Sequence, residues 1–262
     1  MRIYQADAFT DCLFKGNPAA ICILEEDYDD VVLQSIAMEM NLSETAFIKQ
    51  VSHNEFNLRW FTPKIEVSLC GHATLASAHI LWENKIVEKN NIISFNTLSG
   101  SLIAKKKGDW IELDFPKGNL KKSNGDEFLL NAFSILPQNI YEDDIVYLLE
   151  FNDEKEISLL DPDFNVLKKA RKEEIIVTSK SNSVKYDFVS RFFGPAIGVN
   201  EDPVTGSAHC YLAPYWIKKL NKDEVLGFQF SNRTGYVKCR LKENRVILQG
   251  KVKTVFSGTM EI

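Results

Sequence analysis

The run GHATLASAHILW, residues 71–82, predicts the element around which the chain folds. From His72 to Trp82, nearly every side of this segment carries a small or apolar side chain. A helix that is apolar all round is normally buried, so we expect this one to run through the middle of a domain. A second helix of small residues is predicted to begin at Gly206. The chain is therefore expected to contain two buried central helices, each introduced by a glycine.

The sequence in front of one central helix repeats the sequence in front of the other. RWFTP (residues 59–63) precedes the first helix, and RFFGP (residues 191–195) precedes the second. Both helices also contain a tryptophan, Trp82 and Trp216. This shared order of arginine, two aromatic residues, proline, glycine and tryptophan predicts a duplicated domain.

Strands are predicted on both sides of the central helices, because short apolar runs there are separated by turn residues. An amphipathic helix is predicted to open at Asp29 and Asp30, and Pro214 is expected to kink the second central helix or end its regular hydrogen bonding. The predicted strands are Tyr4–Phe9, Ala19–Leu24, Thr45–Val51, Phe56–Phe61, Ile92–Phe95, Ser101–Ala104, Trp110–Phe115, Ile145–Leu149, Ile175–Thr178, Gly235–Leu241, Val246–Leu248 and Val252–Phe256.

The most linker-like stretch covers residues 116–126, where lysine, asparagine and glycine cluster. We place a domain boundary there, which gives an N-terminal domain of residues 1–116 and a C-terminal domain of residues 117–262. The final strand, at about residues 250–262, is expected to pack back onto the first domain.

Composition and charge narrow the class of protein. With 45% hydrophobic and 26% charged residues in 262, the chain has the composition of a soluble globular protein. A net charge of -5 argues against a nucleic-acid partner, and no apolar run is long enough to span a membrane. Asp7 lies where a signal peptide needs its apolar centre, and the five scattered cysteines form no Cys-x-x-Cys pair. These features predict an enzyme-sized protein of the reducing cytoplasm.

The glycines that open the central helices have two interpretations. A helix N-terminus offers free backbone N–H groups and the positive end of the helix dipole, so Gly71 and Gly206 could each introduce an anion site. The alternative is that both glycines only allow tight turns into packed helices.

Glu44 is the best candidate for an acid/base group. It lies in NLSETAF (residues 41–47), between an amphipathic helix and a strand. A carboxylate enclosed by apolar neighbours has a raised pKa, which suits proton transfer near neutral pH. On this segment alone, an exposed cap or strand-edge role for Glu44 is the stronger interpretation.

The remaining motifs either favour a structural role or exclude a class of chemistry. His72 and His79 are seven residues apart, too far to chelate one ion, and neither a His-Glu-x-x-His motif nor a phosphate loop is present, so we expect no metal and no nucleotide cofactor. A nucleophilic role for Cys70 is not favoured by its sequence neighbours. In EDPVTGSAH (residues 201–209), helix capping competes with catalysis for Asp202 and Ser207.

Taken together, these segments resemble the phenazine-biosynthesis-like (PhzF-like) isomerase family, relatives of diaminopimelate epimerase. The matching stretches extend from the N-terminus past residue 216: DAFT (7–10), GNPAA (16–20), NLSETAF (41–47), CGHATLA (70–76), EDPVTGSAH (201–209) and APYW (213–216). The resemblance implies an α+β fold of two similar domains, each an antiparallel barrel-like sheet wrapped around a central helix. It also implies an active site in the interdomain cleft and compatibility with a homodimer.

The resemblance also implies roles for individual residues, without a cofactor. Glu44 takes the place of the family's acid/base, with His72 and Asp202 assisting proton transfer or orienting the substrate. Gly71, His72, Gly206 and Ser207 take substrate-binding places. Two positions depart from the wider pattern: Ser68 stands where many members have an acid, and Thr205 stands where the epimerases have a second catalytic cysteine.

The sequence therefore predicts an isomerase that shifts a proton between carbons of a small carboxylate-bearing metabolite. Two alternatives stay open: a racemase or epimerase of an amino-acid-like substrate, and a non-catalytic small-molecule-binding protein on the same fold.

Overall fold

The computed structural model describes residues 1–262, and the chain divides into two compact units. The first unit is formed by Met1–Asp114 together with Ile247–Ile262, and the second by Phe115–Val246. The division therefore falls two residues before the boundary expected from the sequence. The C-terminal residues return to the first unit because their strand pairs with the first strand of the chain.

Seventeen strands and six α-helices follow one another along the chain, with a 3₁₀ turn at Pro195–Ile197. They are β1 (Arg2–Ala8), β2 (Asn17–Leu24), α1 (Asp30–Met40), β3 (Glu44–Ser52), β4 (Glu55–Phe61), β5 (Glu66–Val67), α2 (Gly71–Glu83), β6 (Ile93–Thr97), β7 (Gly100–Lys107), β8 (Trp110–Pro116), β9 (Lys121–Ser123), α3 (Glu127–Asn131), β10 (Asn139–Glu142), β11 (Val146–Glu150), α4 (Glu154–Leu159), α5 (Phe164–Leu167), β12 (Glu174–Lys180), β13 (Phe188–Phe193), α6 (Gly206–Leu220), β14 (Glu224–Gln229), β15 (Gly235–Lys242), β16 (Arg245–Gly250) and β17 (Val252–Thr259). The helices α3 to α5 and the strands β5, β9, β10, β13 and β14 were not predicted.

The two units repeat one pattern of strand pairing. In the first, β1 pairs antiparallel with β2, β2 parallel with β3, β3 antiparallel with β4, β4 parallel with β6, and β6 antiparallel with β7. In the second, β10 to β15 pair in the same order and with the same directions. The prediction of two similar domains is therefore confirmed.

The sheets are mixed, whereas the resemblance implied antiparallel ones. In both units, the parallel pairs are those joined through helices. A crossover through a helix brings the chain back in its original direction, so the strands on its two sides run parallel. Each unit contains two such crossovers.

Each unit has a buried central helix and a second apolar layer formed with its shorter helices. In the first unit, α2 packs on β1, β2 and β3 and buries Trp82, while α1 shares a separate core with Phe47 of β3. In the second, α6 packs on β14 and β15, and its Trp216 stacks on Phe188 at 5.8 Å. The helices α3, α4 and α5 cover the apolar core around Ile175, on the face of β12 opposite to α6.

Pro214 does not end the second central helix, which continues to Leu220. Proline has no N–H for the carbonyl group four residues earlier, which belongs to Cys210. The backbone N–H of Gly118 donates to this carbonyl oxygen at 3.1 Å and replaces the missing bond. Gly118 lies so close to α6 that an added Cβ would stand 2.2 Å from the ring of Tyr211. The stretch expected to be a linker is thus docked on the helix and continues into β9.

Candidate active site

The side chains of Glu44, Cys70 and His72 lie together in the first unit. Glu44 is the first residue of β3, and its Oε2 atom lies 3.2 Å from Nε2 of His72 in the first turn of α2. The two atoms are in contact without the alignment of a hydrogen bond. Cys70, the N-cap residue of α2, places Sγ 3.5 Å from Nδ1 of His72. Strand β3 and helix α2 therefore bring Glu44 to two residues that lie 26 and 28 positions later in the sequence.

The imidazole of His72 is neutral at physiological pH. His72 is 7% exposed, and burial lowers its pKa to about 3, against a smaller opposing effect of the Pro18 carbonyl group. A neutral imidazole stabilises an adjacent carboxylate less than an imidazolium would. Glu44, whose side chain is 20% exposed, therefore has an uncharged neighbour on this side.

The same three side chains have the composition of a metal site. One ligand atom from each of Glu44, Cys70 and His72 lies within 4.8 Å of the others. Zinc binds this combination of oxygen, sulfur and nitrogen ligands. His79, seven residues after His72, is not part of this cluster and contacts Glu83 at 3.5 Å. The absence of a catalytic metal stays a prediction.

In the second unit, the loop before α6 is held by a network of hydrogen bonds. The Thr205 hydroxyl donates to Oδ2 of Asp202, and the Thr205 N–H donates to Oε1 of Gln229 at 2.9 Å. The amide nitrogen of Gln229 donates to the Asp202 carbonyl oxygen at 2.9 Å. Sequence reasoning missed Gln229 because β14, which carries it, was not predicted. Ser207 is exposed in the first helical turn, next to Gly206.

Neither central helix has a hydrogen bond from a side-chain cap at its N-terminus. The N-cap residues are Cys70 for α2 and Thr205 for α6, and both have extended backbone conformations. Asp202, which the sequence suggested as a cap, accepts from the Thr205 hydroxyl instead. The N-termini at Gly71 and Gly206 therefore keep the property that suits an anion, free N–H groups at the positive end of a helix dipole.

The internal repeat extends to the contacts at these helix starts. Arg59 donates to Glu66 through two nitrogens, and Arg191 donates to Glu201 in the same way, the shortest bond being 2.7 Å in each pair. The guanidinium groups lie 5.0 and 4.9 Å from the rings of the phenylalanines two residues later. The Thr74 hydroxyl donates to the Cys70 carbonyl group, and Nδ1 of His209 contacts the equivalent Thr205 carbonyl oxygen at 2.7 Å.

A cavity of about 510 Å³ lies elsewhere in the second unit. It is lined by the segment 117–120, by Tyr141 and by one face of α6 from Tyr211 to Lys219. None of the residues predicted to bind substrate lines this cavity.

Two repeated units, each with a sheet packed on a central helix, are the fold of a class of epimerases. The structure of a predicted epimerase from Pseudomonas aeruginosa matches it with a TM-score of 0.75, over 99% of this chain and 98% of that one, at 18% identity. A PhzF-family protein of Enterococcus faecalis matches with a TM-score of 0.94 at 39% identity, over 100% and 99% of the two chains.

The sequence comparisons give the family. An uncharacterized isomerase of Halalkalibacterium halodurans is 52% identical over 259 residues, which are 98% of this chain and 97% of the relative. The family model for phenazine biosynthesis-like proteins (PhzC-PhzF) matches residues 6–258. The chain belongs to this family, and the predicted isomerase class is confirmed. The substrate and the roles of individual residues stay predictions. No helix is both long and apolar enough to cross a membrane.

Proposed function

We propose that this protein is a cofactor-independent isomerase that moves a proton between two carbons of a small carboxylate-bearing metabolite, with Glu44 as general acid/base. The observation that carries the proposal is the contact between Glu44 and His72 at the start of α2. Proton transfer needs a carboxylate that is partly shielded from water and can still take up a proton. Glu44 is partly buried, and its imidazole neighbour carries no charge that would hold the carboxylate ionised.

The N-terminus of α2 supplies the second requirement, which is stabilisation of negative charge. Removal of a proton next to a carboxylate creates an enolate-like intermediate, and N–H groups aimed at the developing charge lower its energy. Gly71 and His72 lie in the first turn of a helix without a side-chain cap, next to Glu44. We propose that Gly206 and Ser207 bind substrate through the N-terminus of α6, and that Asp202 and His72 orient it or assist proton transfer.

A single base favours the isomerase over the racemase. In the two-base epimerases that this family resembles, a second thiol stands at the place of Thr205. Here that position holds Thr205, which has no thiol. Its hydroxyl donates to Asp202. One carboxylate that removes and returns a proton on one face moves it between carbons, whereas two opposed bases invert a centre.

The test is a screen of amino acids and cyclic dienoic acids in D₂O, followed by NMR for deuterium uptake and change of product. For a substrate found in this way, Glu44→Gln should lower kcat by about 10²- to 10⁴-fold, because glutamine keeps the shape of the side chain but exchanges no proton. Glu39→Gln, an exposed change on α1, is the matched control and should keep full activity.

Three outcomes contradict the proposal. Near-normal activity of a folded Glu44→Gln variant would make Glu44 structural. An inverted stereocentre with complete washout of substrate deuterium would establish the racemase. Absence of exchange across the whole screen, with binding of one of its compounds, would favour the non-catalytic alternative.

A cytoplasmic location and a homodimer remain part of this proposal. No two of the five cysteines are joined by a disulfide, as expected for a protein of a reducing compartment.

A further inference from the structure

The cluster of Glu44, Cys70 and His72 has a spacing close to that of a tetrahedral zinc site. Zinc lies about 2.0–2.3 Å from each ligand atom, so two of its ligand atoms are about 3.3–3.6 Å apart. Oε2 of Glu44 lies 3.2 Å from Nε2 of His72, and Sγ of Cys70 lies 3.5 Å from Nδ1 of the same ring. One ion binds only one of these two nitrogens. One ligand atom of each residue lies within 4.8 Å of the others, so a side-chain shift of about 1.3 Å or less brings all three onto one ion.

Two further features of the cluster point to a bound ion. Nε2 of His72 is buried and has no hydrogen-bond partner, so an ion bound to this atom would remove the cost of an unsatisfied polar group. The carboxylate of Glu44 and a thiolate at Cys70 together carry two negative charges, which balance the charge of Zn²⁺. Three protein ligands leave the fourth position of the ion to water. The cluster therefore offers the ligand types and the charge that zinc requires.

The other cysteines offer no comparable site. Burial raises the pKa of the Cys22 and Cys210 thiols to about 12 and raises that of Cys239 as well, so none of these is a thiolate at neutral pH. Cys12 is exposed and is not part of a cluster of three potential ligands. Specific binding of zinc through a thiolate is therefore expected at Cys70.

We propose that Zn²⁺ binds reversibly to Glu44, Cys70 and His72 and that the bound ion inactivates the isomerase. Binding displaces the proton of the Cys70 thiol into solvent. The lone pair that Glu44 gives to the ion is no longer available to take the substrate proton, and the charge of the ion makes the carboxylate a weaker base. The proposal rests on the proposed role of Glu44 as general acid/base.

The first test measures zinc binding and needs no substrate. The full-length protein, freed of metal with EDTA and desalted, is titrated with Zn²⁺ against a competing chelating dye. The wild type should bind one ion. Loss of a partner that only orients a ligand costs about 10- to 100-fold in metal affinity, so Cys70→Ser, which removes a ligand, should cost about 100-fold or more. Cys12→Ser, the exposed matched control, should bind as the wild type does.

A second variant and a second ion guard against a folding defect in Cys70→Ser. Glu44→Gln, which removes the charge and keeps the shape, should also weaken zinc binding by about tenfold or more. Co²⁺ bound to a thiolate gives a charge-transfer absorption in the near ultraviolet. This absorption should appear in the wild type, Cys12→Ser and Glu44→Gln and be absent from Cys70→Ser. Equal zinc affinity of the wild type and Cys70→Ser, loss of binding in Cys12→Ser, or no zinc binding by the wild type overturns the proposal.

The inhibition is then measured with the substrate found in the screen. The fractional loss of kcat should equal the zinc occupancy of the first test, and EDTA should restore full activity. Cys70→Ser, which is expected to keep its activity, should need about 100-fold more zinc for the same loss. Zinc bound at the cluster without loss of activity, or activity that requires zinc, overturns the proposal. The kcat of Glu44→Gln measured in EDTA decides the proposed function separately, because no zinc is then bound.

Discussion

His209 should make the folded protein sensitive to acid. It is fully buried in α6, where Nδ1 contacts the Thr205 carbonyl oxygen at 2.7 Å and Nε2 has no hydrogen-bond partner. The imidazole is tightly packed at Nε2, because a Cβ added at Gly227 would lie 3.0 Å from this atom. Burial lowers the pKa of His209 to about 4, with the Thr205 carbonyl group opposing it.

The size of the effect follows from proton linkage. Below pH 6.5 the unfolded chain protonates this histidine, but the folded chain does so only near pH 4. The free energy of unfolding therefore falls by about 1.4 kcal/mol per pH unit over this window, or about 3 kcal/mol in all. His72, with its pKa lowered to about 3, adds a similar loss by pH 4. Together they remove about 6 kcal/mol, a large part of the roughly 5–15 kcal/mol typical of a folded domain.

The assay is urea unfolding followed by tryptophan fluorescence at pH 7.5 and pH 4.0. In His209→Gln, the glutamine amide can donate to the Thr205 carbonyl group but does not titrate. The loss of unfolding free energy between the two pH values should therefore be about 3 kcal/mol smaller than in the wild type. His53→Gln changes an exposed histidine and should behave as the wild type does. An equal pH dependence in His209→Gln and the wild type would refute the reasoning.

Two further substitutions test local features of the structure. Cys70→Ser should keep activity and change the free energy of unfolding by no more than about 1 kcal/mol, because serine is a good N-cap residue; a folded but inactive variant would assign the thiol a part in the chemistry. Gly118→Ala should lower the free energy of unfolding by about 1–3 kcal/mol, measured by urea unfolding, because its Cβ meets the Tyr211 ring. The matched control is Gly258→Ala, where a Cβ meets nothing within 4 Å; equal stability of the two variants would contradict the docking of the segment on α6.

The central helices and the repeat were predictable because their signals are local. A helix that is apolar on all sides, from His72 to Trp82, and a glycine at each helix start can be read from adjacent residues. The predicted helix starts differ from the structure by one residue or less. The short helices α3 to α5 and the strand β14 escaped prediction because their apolar runs are brief and follow no clear period.

Pro214 shows where a local rule was overruled by tertiary structure. Its missing N–H is a property of the sequence, and by itself it favours a kink or an end of the helix. The N–H of Gly118, 96 residues earlier in the chain, supplies the bond to the Cys210 carbonyl group. A contact of that range cannot be inferred from the residues around the proline.

The sequence by itself determined the two glycine-led helices, the duplication and, through the family resemblance, the candidate residues. Tertiary structure decided which of those residues meet. Parallel pairing through the crossover helix α1 sets the register of β3, whose first residue, Glu44, lies against the neutral His72. The physical reason is that periodicity fixes which face of a strand is buried, whereas burial, charge and pKa at a given side chain depend on the strands and helices that pack against it.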